Sequence, residues 1–415
     1  MPLVIGLLLV TAACDSALDR PPATATGSAT ATGTTATSVS ITPVTPDGFL
    51  SGPGVTDEEI TLGVLVDPDR DRGFTSGVDL WRQTVNTTGG LCGRTVDLLQ
   101  SGADGLPADP VLAYDMVGTS ALGLLTLPPP NDAVALNSRI VADQIPALTP
   151  SGTSAQLGPA RPIVIGPTED ILVINALDYL QQTGRLESGA TVGVLTDGSA
   201  AADNALLGAR WWAGQHDIAL KVHTVDPDLD LTDWNGSTNI LSLAAAPETA
   251  DLVAATPAEV AVITTIDGYE PDRWTAEALA AAKAGRVLVT TAAPAYGSDY
   301  PAAVAVASSA AAVGLSSAGP RLFDGYATGQ NWGRLITQAC SDRTLTRTAV
   351  ELAATDVGPD SVDSLFGPTD PAQAVESAQP STRVSAMSTA DPSTAAGLSP
   401  LTWPEGAAGI EDYLP

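Results

Sequence analysis

The segment ITLGVLV at residues 60–66 is followed by a helical pattern at 78–85 and by the segment TVDLL at 95–99. The first segment is short and continuously apolar, which predicts a strand buried on both faces. Thr88-Gly89-Gly90 ends the helical pattern before the next strand begins. A strand, a helix and a second strand in this order predict a parallel βαβ unit.

The same alternation continues along most of the chain, which predicts parallel sheets covered by helices on both faces. The predicted strands are 122–125, 145–148, 191–195, 220–224, 260–265 and 286–290, and the predicted helices are 132–143, 171–182, 204–215 and 271–284. A length of 415 residues accommodates about two such sheets. We therefore predict an α/β protein with two doubly wound parallel-sheet lobes. In such sheets, ligands bind outside the carboxyl ends of the strands.

The composition argues against several classes of function. Lys and Arg total 18 against 47 Asp and Glu, a net charge of -29, which would repel nucleic acid and anionic membrane surfaces. The two histidines, His216 and His223, have no cysteine or acid at metal-ligand spacing. No nucleophile motif, P-loop or paired-acid arrangement is present. We therefore expect no enzymatic activity, no cofactor, no metal site and no nucleic-acid partner.

Residues 1–14 have the pattern of an export signal. The apolar run 3–13 is too short to span a bilayer and ends in small residues. Val10-Thr11-Ala12-Ala13-Cys14 resembles the lipobox of bacterial lipoproteins, which implies a lipid-modified Cys14. No Lys or Arg precedes the run, a departure that a misassigned start codon would explain; the alternative is a buried cysteine in an N-terminal strand. We predict a chain anchored by lipid to the outer face of the cell membrane.

Residues 15–55 are rich in Thr, Ala and Pro and almost lack large apolar side chains. Such a stretch buries too little surface to offset the entropy of ordering it, so we predict a disordered tether. The alternative, a Thr-rich strand hairpin, lacks the alternating pattern that strands need.

Residues 86–96, NTTGGLCGRTV, resemble the N-x-x-GG-x-x-GR-x-V turn of type I periplasmic binding proteins, closest to the branched-chain amino-acid type. The segments 145–157 and 323–340 lie where that family has its corresponding loop and helix. The resemblance extends from about residue 56 to about residue 403. It implies two lobes, joined by hinge crossovers, that close on a small solute.

The resemblance also implies a division of the chain and a function. Lobe 1 is expected to contain residues 56–169 and 295–345, and lobe 2 residues 170–294 and 346–415. The implied function is that of a monomeric solute-binding lipoprotein that delivers an amino acid or related small polar solute to an ABC permease. A ligand-sensing or envelope-interaction lipoprotein of the same fold, without a transport role, remains the alternative.

Two loops and one helix start carry the predicted ligand contacts. Ser151, Thr153 and Ser154 follow a strand and precede a helix; the first two match the family's carboxylate-binding loop, although ordinary N-capping explains the same residues. Asp170 lies where the family places an acid near the hinge, and either receives an ammonium group or caps a helix. Tyr269 resembles an aromatic ligand contact, or belongs to a turn before Pro271.

Three departures from the family pattern argue against a standard amino-acid ligand. Pro128-Pro129-Pro130 replaces a serine-containing loop, and proline has no N–H to donate. Ala201 lies where the family often has a tyrosine, and residues 290–296 contain no acid. The solute is therefore expected to be larger, less charged or of another class, or bound weakly.

Cys92 and Cys340 remain after Cys14 is assigned to lipidation. An exported chain meets an oxidising compartment, where an even pair of cysteines indicates a disulfide. The family's layout places the helix ending at Cys340 near the Gly-Gly turn. The alternative is two buried thiols.

Overall fold

The computed structural model describes residues 47–127, 130–159, 162–226, 234, 236–315, 319–360, 364–394, 396–401 and 406–415. The predicted signal, Cys14 and the tether up to residue 46 lie outside the described residues. Among the residues described, no helix combines the length and the apolar character needed to cross a membrane.

The strands and helices are numbered here in chain order. The strands are β1 (Leu50–Ser51), β2 (Glu59–Val66), β3 (Thr95–Gln100), β4 (Gly123–Leu127), β5 (Ala147–Thr149), β6 (Ile163–Val164), β7 (Thr191–Thr196), β8 (Ala219–Thr224), β9 (Asn239–Leu243), β10 (Ala261–Thr265), β11 (Val287–Thr291), β12 (Thr344–Leu345), β13 (Ala386–Ala390) and β14 (Leu398–Pro400). The helices are α1 (Arg72–Thr87), α2 (Pro110–Val117), α3 (Pro130–Ala142), α4 (Glu169–Gln182), α5 (Ala200–Gln215), α6 (Ala246–Ala255), α7 (Ala276–Ala281), α8 (Pro301–Ala312), α9 (Leu322–Ser341), α10 (Arg347–Asp356) and α11 (Pro371–Glu376).

The strands form two main sheets of the same topology. The first has the order β3-β2-β4-β5-β6 and is parallel throughout. The second contains the parallel series β8-β7-β9-β10-β11, which has the same order relative to the chain, and β13 and β14 extend it antiparallel. The predicted pair of doubly wound lobes is confirmed, but the antiparallel strands were not predicted.

Both faces of each sheet are covered, and the strand sequences show why. In β10 the consecutive residues Val262 and Ile263 point into two different cores, and in β2 Val64 and Leu65 do the same. Successive side chains of a strand point to opposite faces, so a continuously apolar strand requires a helical layer on each side. The apolar runs therefore determined the layered architecture.

The chain crosses between the two lobes three times, at residues 165–168, 292–300 and 377–385. The helices α8 and α9 return to the core of the first lobe after the second crossing. Residues 346–376 were expected in the second lobe, but Val350, Phe366 and Ala374 pack in the core of the first. The reason is that α10 packs directly against α9, so the final crossing occurs only after α11.

The predicted disordered tether continues to residue 55, but the last part of that segment is ordered in the structure. Strand β1 pairs in parallel with β12, and Ser51 is buried. Asp47 forms an ion pair of 2.6 Å with the buried Arg94, whose guanidinium also lies over the ring of Phe49. The pairing of β1 with β12, a strand far along the chain, cannot be predicted from the sequence around β1.

Cys92 and Cys340 form a disulfide, with their Cα atoms 6.3 Å apart. Cys92 has a positive φ of 55° in the turn between α1 and β3, and Cys340 lies in the last turn of α9. The disulfide therefore joins the Gly-Gly turn to the C-terminal end of α9, as the family's layout implied.

Glycines allow α1 and α9 to pack at close range. A Cβ atom on Gly325 would overlap the backbone of Phe74, and one on Gly77 would overlap the backbone of Leu322. Backbone atoms cannot move aside for a Cβ atom, whereas the end of a flexible side chain can. The close approach of the two helices therefore requires glycine at both positions.

We expect Gly325→Ala to lower the free energy of unfolding by about 2–3 kcal/mol, the usual cost of overpacking. The matched control is Gly214→Ala in α5, where a Cβ atom meets nothing within 4 Å. That substitution is expected to stabilise by about 0.5–1 kcal/mol because alanine has the higher helix propensity. Urea denaturation measures both; equal effects in the two variants would contradict the close packing.

Candidate functional site

Two adjoining cavities lie at the carboxyl ends of the strands. The main cavity has a volume of about 660 Å³ and the side cavity about 200 Å³. Their walls include residues that follow β2 and β4 in one lobe, and β7 and β9 in the other. In both sheets the strand order reverses between these strands, and ligand crevices form at such switch points. The ligand crevices at the switch points of the two sheets therefore open onto the same space.

The walls of the main cavity contain both polar and apolar groups, and their charged residues are mainly acidic. Asp67 and Arg70 come from the loop after β2, while most of the other residues come from strand ends, helix starts and loops of the second lobe. Those described are Asp197, Gly198, Ser199, Ala201, Ala202, Ala205, Leu243, Ala244, Ala245, Ala246, Pro247, Glu248, Thr265, Asp267, Glu270 and Arg273. Glu169, at the start of α4, completes the wall.

The side cavity is mainly apolar. Its apolar wall is formed by Leu127, Ala133, Val134, Pro162, Ala200 and Ala201. Thr149, Ser151, Thr153 and Asn137 add polar groups on the side of the first lobe. Glu169, Ser199, Ala201 and Asp267 line both cavities, so the two spaces share one boundary.

Glu169 is the most buried acid of this boundary, with 5% of its surface exposed. Burial and the nearby carboxylates of Asp267 and Asp170 raise the pKa of the Glu169 carboxyl well above its usual range, against the opposing effects of Arg321 and the Ser151 hydroxyl. The carboxyl is therefore protonated over a wider pH range than an exposed glutamate.

Beside Glu169, an ion-pair network links the two lobes. Arg321, which directly precedes α9, donates to Asp267 of the second lobe and lies 3.5 Å from Asp71 of the first. Arg70 pairs with Asp71 at 2.7 Å. Burial raises the pKa of Asp71 despite both arginines. For Asp267, Arg321 and Arg70 outweigh burial and hold its pKa below the usual value.

The residues of the predicted hydroxyl-rich loop have different surroundings in the structure. Ser151 and Thr153 line the side cavity, and their contact with a ligand stays a prediction. The Thr153 N–H donates to Gln156 Oε1 at 2.7 Å within the same loop. Ser154 instead donates its hydroxyl to Asp170, away from the cavity walls.

Neither Asp170 nor Tyr269 lines the main cavity or the side cavity. Asp170 is fully buried, and its carboxylate accepts hydrogen bonds from donors that include Tyr413 Oη at 2.8 Å and the Ile171 N–H at 2.9 Å. Tyr269 is 1% exposed, donates to the Gly397 carbonyl and packs edge-on against Trp274 at 5.0 Å. Both side chains make hydrogen bonds and packing contacts in the interior of the second lobe.

Several residues of the site were missed in the sequence. Glu169 immediately precedes the predicted Asp170, and Asp67 and Arg70 closely follow the predicted strand β2. A polar residue directly after a buried parallel strand was the available signal. Ala201 does line both cavities, whereas Pro128 and Pro129 lie outside the described residues and Pro130 begins α3.

No protein-family model and no curated protein sequence matches the chain. Solved structures do match it. One is described as a fatty acid ABC transporter substrate-binding protein from Thermomonospora curvata; it has 22% identity and a TM-score of 0.76, with 89% of this chain and 98% of that chain covered.

Two further matches contain amino acids. A branched-chain amino acid ABC transporter protein from Thermus thermophilus, with bound valine, has 14% identity and a TM-score of 0.63, over 85% of this chain and 98% of that one. A substrate-binding protein from Desulfitobacterium hafniense, in complex with Leu, has 15% identity and a TM-score of 0.62, over 83% and 100%. The chain therefore has the two-lobe type I periplasmic binding protein fold.

Proposed function

We propose that this protein is the extracytoplasmic solute-binding component of an ABC importer. The observation that carries the proposal is the pair of cavities at the switch points of both sheets, between lobes that three chain crossings connect. A space shared by two lobes changes volume when they rotate about such crossings, so a ligand that contacts both lobes favours the closed state.

The sequence supports a location outside the cytoplasm. The pattern of residues 1–14, with Cys14 as the lipidation site, and the tether-like composition that follows are typical of a lipoprotein. The Cys92–Cys340 disulfide fits an oxidising compartment. We propose that the lipid anchors a monomer near its permease on the outer face of the membrane.

The proposed ligand is an amino acid or a related small polar solute. The related structures bind or are named for different solutes, namely valine, leucine and a fatty acid. In this chain the side cavity offers an apolar wall for a body of limited size, and the adjoining main cavity adds charged and polar groups. This combination favours a solute with one apolar and one polar end.

The proposal is tested by thermal-shift screening of the full-length chain with amino acids, amides, amines, ureas and small peptides. At 100 times its Kd, a ligand is expected to stabilise the protein by about 2.7 kcal/mol, which raises Tm by a few °C. X-ray scattering is expected to show a smaller radius of gyration with the same ligand.

Ala201→Trp places a large side chain at the boundary of both cavities and is expected to abolish the shift. Ala311→Trp, on the exposed face of α8, is the matched control and is expected to retain it. Absence of stabilisation by every solute, or an equal shift in both variants, would contradict solute binding in these cavities.

A further inference from the structure

The charge of the cavity walls is unbalanced. Of the described residues that line the main cavity, six are acidic and two are arginines. The arginines are Arg70 and Arg273, and each already has a carboxylate partner: Asp71 at 2.7 Å and Glu270 at 2.9 Å. Arg321, which lies behind the wall, is paired with Asp267 and Asp71. The cavity therefore has no cation left over for an anionic ligand within the described part of the chain.

Four acids of the wall have no such ion pair to a described residue. They are Asp67, Glu169, Asp197 and Glu248. Asp67 and Asp197 accept backbone N–H groups of their own turns, at 3.0 Å from Asp69 and 2.8 Å from Ser199. Those bonds fix the two carboxylates but leave their negative charge uncompensated.

Glu169 is the acid that a ligand would meet at the boundary of the two cavities. It is 95% buried, since 5% of its surface is exposed, and it lines both cavities. The charges of Asp267, Asp170 and Arg321 act on its carboxyl, and the Ser151 hydroxyl is close enough to affect its pKa. In the empty cleft burial and the neighbouring acids favour its protonated form, because no cation touches it directly among the residues described.

Several hydrogen-bond donors of the cavity walls are already used. The Thr153 N–H donates to Gln156, and the Thr149 hydroxyl donates to the Ser151 carbonyl at 2.9 Å. The Ser199 N–H donates to Asp197. A ligand carboxylate would need free donors here, and these groups do not supply them.

Hydrogen-bond acceptors, by contrast, are left open. Asn137 Oδ1, in the wall of the side cavity, is buried and has no donor among the described residues. Glu248 Oε2, in the wall of the main cavity, is in the same situation. A buried acceptor without a donor costs free energy that a ligand N–H recovers.

We infer that the solute of this cleft is a small organic cation without a carboxylate, whose ammonium or guanidinium group is received by Glu169 and whose apolar body occupies the side cavity. This inference rests on the proposed solute-binding function. The ligand supplies the positive charge that the walls lack and N–H donors for the open acceptors. On binding, the proton held by Glu169 leaves to solvent and the ligand cation takes its place, so charge is conserved at the site.

Isothermal titration calorimetry on the full-length chain tests the charge class with probes of similar body. The probes are 3-methylbutylamine and agmatine as cations, leucine as the zwitterion and 4-methylpentanoate as the anion. At pH 7 we expect a cation to have a Kd ten- to a hundredfold below those of leucine and 4-methylpentanoate, the effect of one charge-assisted hydrogen bond. The Kd of the cation is expected to rise with added salt.

Glu169→Gln removes the charge while it keeps the shape of the side chain. We expect it to raise the Kd of the cation at least tenfold and to leave the Kd of 4-methylpentanoate within threefold. At pH 6, titrations in two buffers of different ionisation enthalpy are expected to show proton release with the wild type and none with the variant. Glu187→Gln, at an exposed loop position, is the matched control and is expected to behave as wild type.

The outcomes separate the two proposals. Tighter binding of leucine or 4-methylpentanoate, or an unchanged Kd of the cation in Glu169→Gln, overturns the inferred charge class and leaves solute binding intact. Binding of no probe and no solute of the wider screen overturns both. If Glu169→Gln does not fold by circular dichroism, the probe affinities and the proton release of the wild type decide, and absence of proton release on binding of the cation overturns the inference.

Discussion

Replacing Arg321 with methionine is expected to lower the free energy of unfolding by about 3–5 kcal/mol at pH 7, the usual cost of removing one partner of a buried ion pair. Arg321 has 6% of its side chain exposed and connects Asp71 of the first lobe with Asp267 of the second. Without it, the fully buried Asp71 keeps only Arg70 as a partner among the ion pairs of the described residues. Urea denaturation followed by circular dichroism measures the loss.

Arg273→Met is the matched control, because the Arg273 side chain is 54% exposed and its pair with Glu270 is at the surface. Exposed pairs contribute about 0–1 kcal/mol, so this variant is expected to stay close to wild type. The loss in Arg321→Met should also diminish towards acidic pH, where protonation discharges the acids that Arg321 compensates. Similar losses in the two variants would show that Arg321 does not compensate buried charge.

Asp324→Asn is expected to change the pH dependence of stability by up to about 4 kcal/mol between acidic and mildly basic pH, since one pKa unit corresponds to about 1.4 kcal/mol. Asp324 lies in the first turn of α9 and is 4% exposed. Burial raises the pKa of its carboxyl to about 7, although Arg321 and the backbone N–H of Ala293 act in the opposite direction.

The sign follows from the raised pKa. The folded state holds the proton of Asp324 more tightly than the unfolded state, whose pKa is near 3.8. The resulting stabilisation is fully present below about pH 4 and is lost as the pH rises through about 7. The asparagine side chain carries no proton to lose, so the variant is expected to be more stable than wild type at pH 8 and to have a flatter profile.

Urea denaturation at pH 5, 6, 7 and 8 measures this difference. Asp342→Asn, at the exposed C-terminal end of the same helix, removes the charge of an exposed carboxylate. Its stability is expected to depend on pH as that of the wild type does. Glu169 and Asp71 also have raised pKa values, so some decline with pH remains in Asp324→Asn. Parallel profiles for Asp324→Asn and wild type would contradict a buried, protonated Asp324.

Adjacent residues show the limit of prediction for the site. The loop that contains Ser151 and Thr153 was predicted because a hydroxyl-rich loop follows a buried strand, and both residues line the side cavity. At the start of α4 the sequence left Asp170 open between a ligand contact and a helix cap; Asp170 is buried and accepts the Ile171 N–H, and the adjacent Glu169 lines the cavities. Neighbouring helical residues point about 100° apart, and the docking of α4 on its sheet selects which one faces the cavities.

Tyr269 illustrates the same limit in a loop. The family resemblance implied an aromatic ligand contact at Tyr269, with a turn before Pro271 as the alternative; the side chain donates to the Gly397 carbonyl and packs against Trp274. Gly397 is more than 100 residues later in the chain, between β13 and β14, which no local pattern predicted. The sequence of a loop does not indicate a contact partner that lies so far along the chain.

The sequence by itself determined the two layered lobes, because strands such as β2 and β10 carry apolar residues on both faces and require helices on both sides. It also determined the strong acidity of the chain. Only the tertiary structure decided that residues 346–360 and 364–376 lie with the first lobe, that β1 pairs with β12, and that two buried acceptors are left open in the cavity walls. Periodicity is a local property of the chain, whereas burial, pairing and hydrogen-bond satisfaction depend on which distant segments meet.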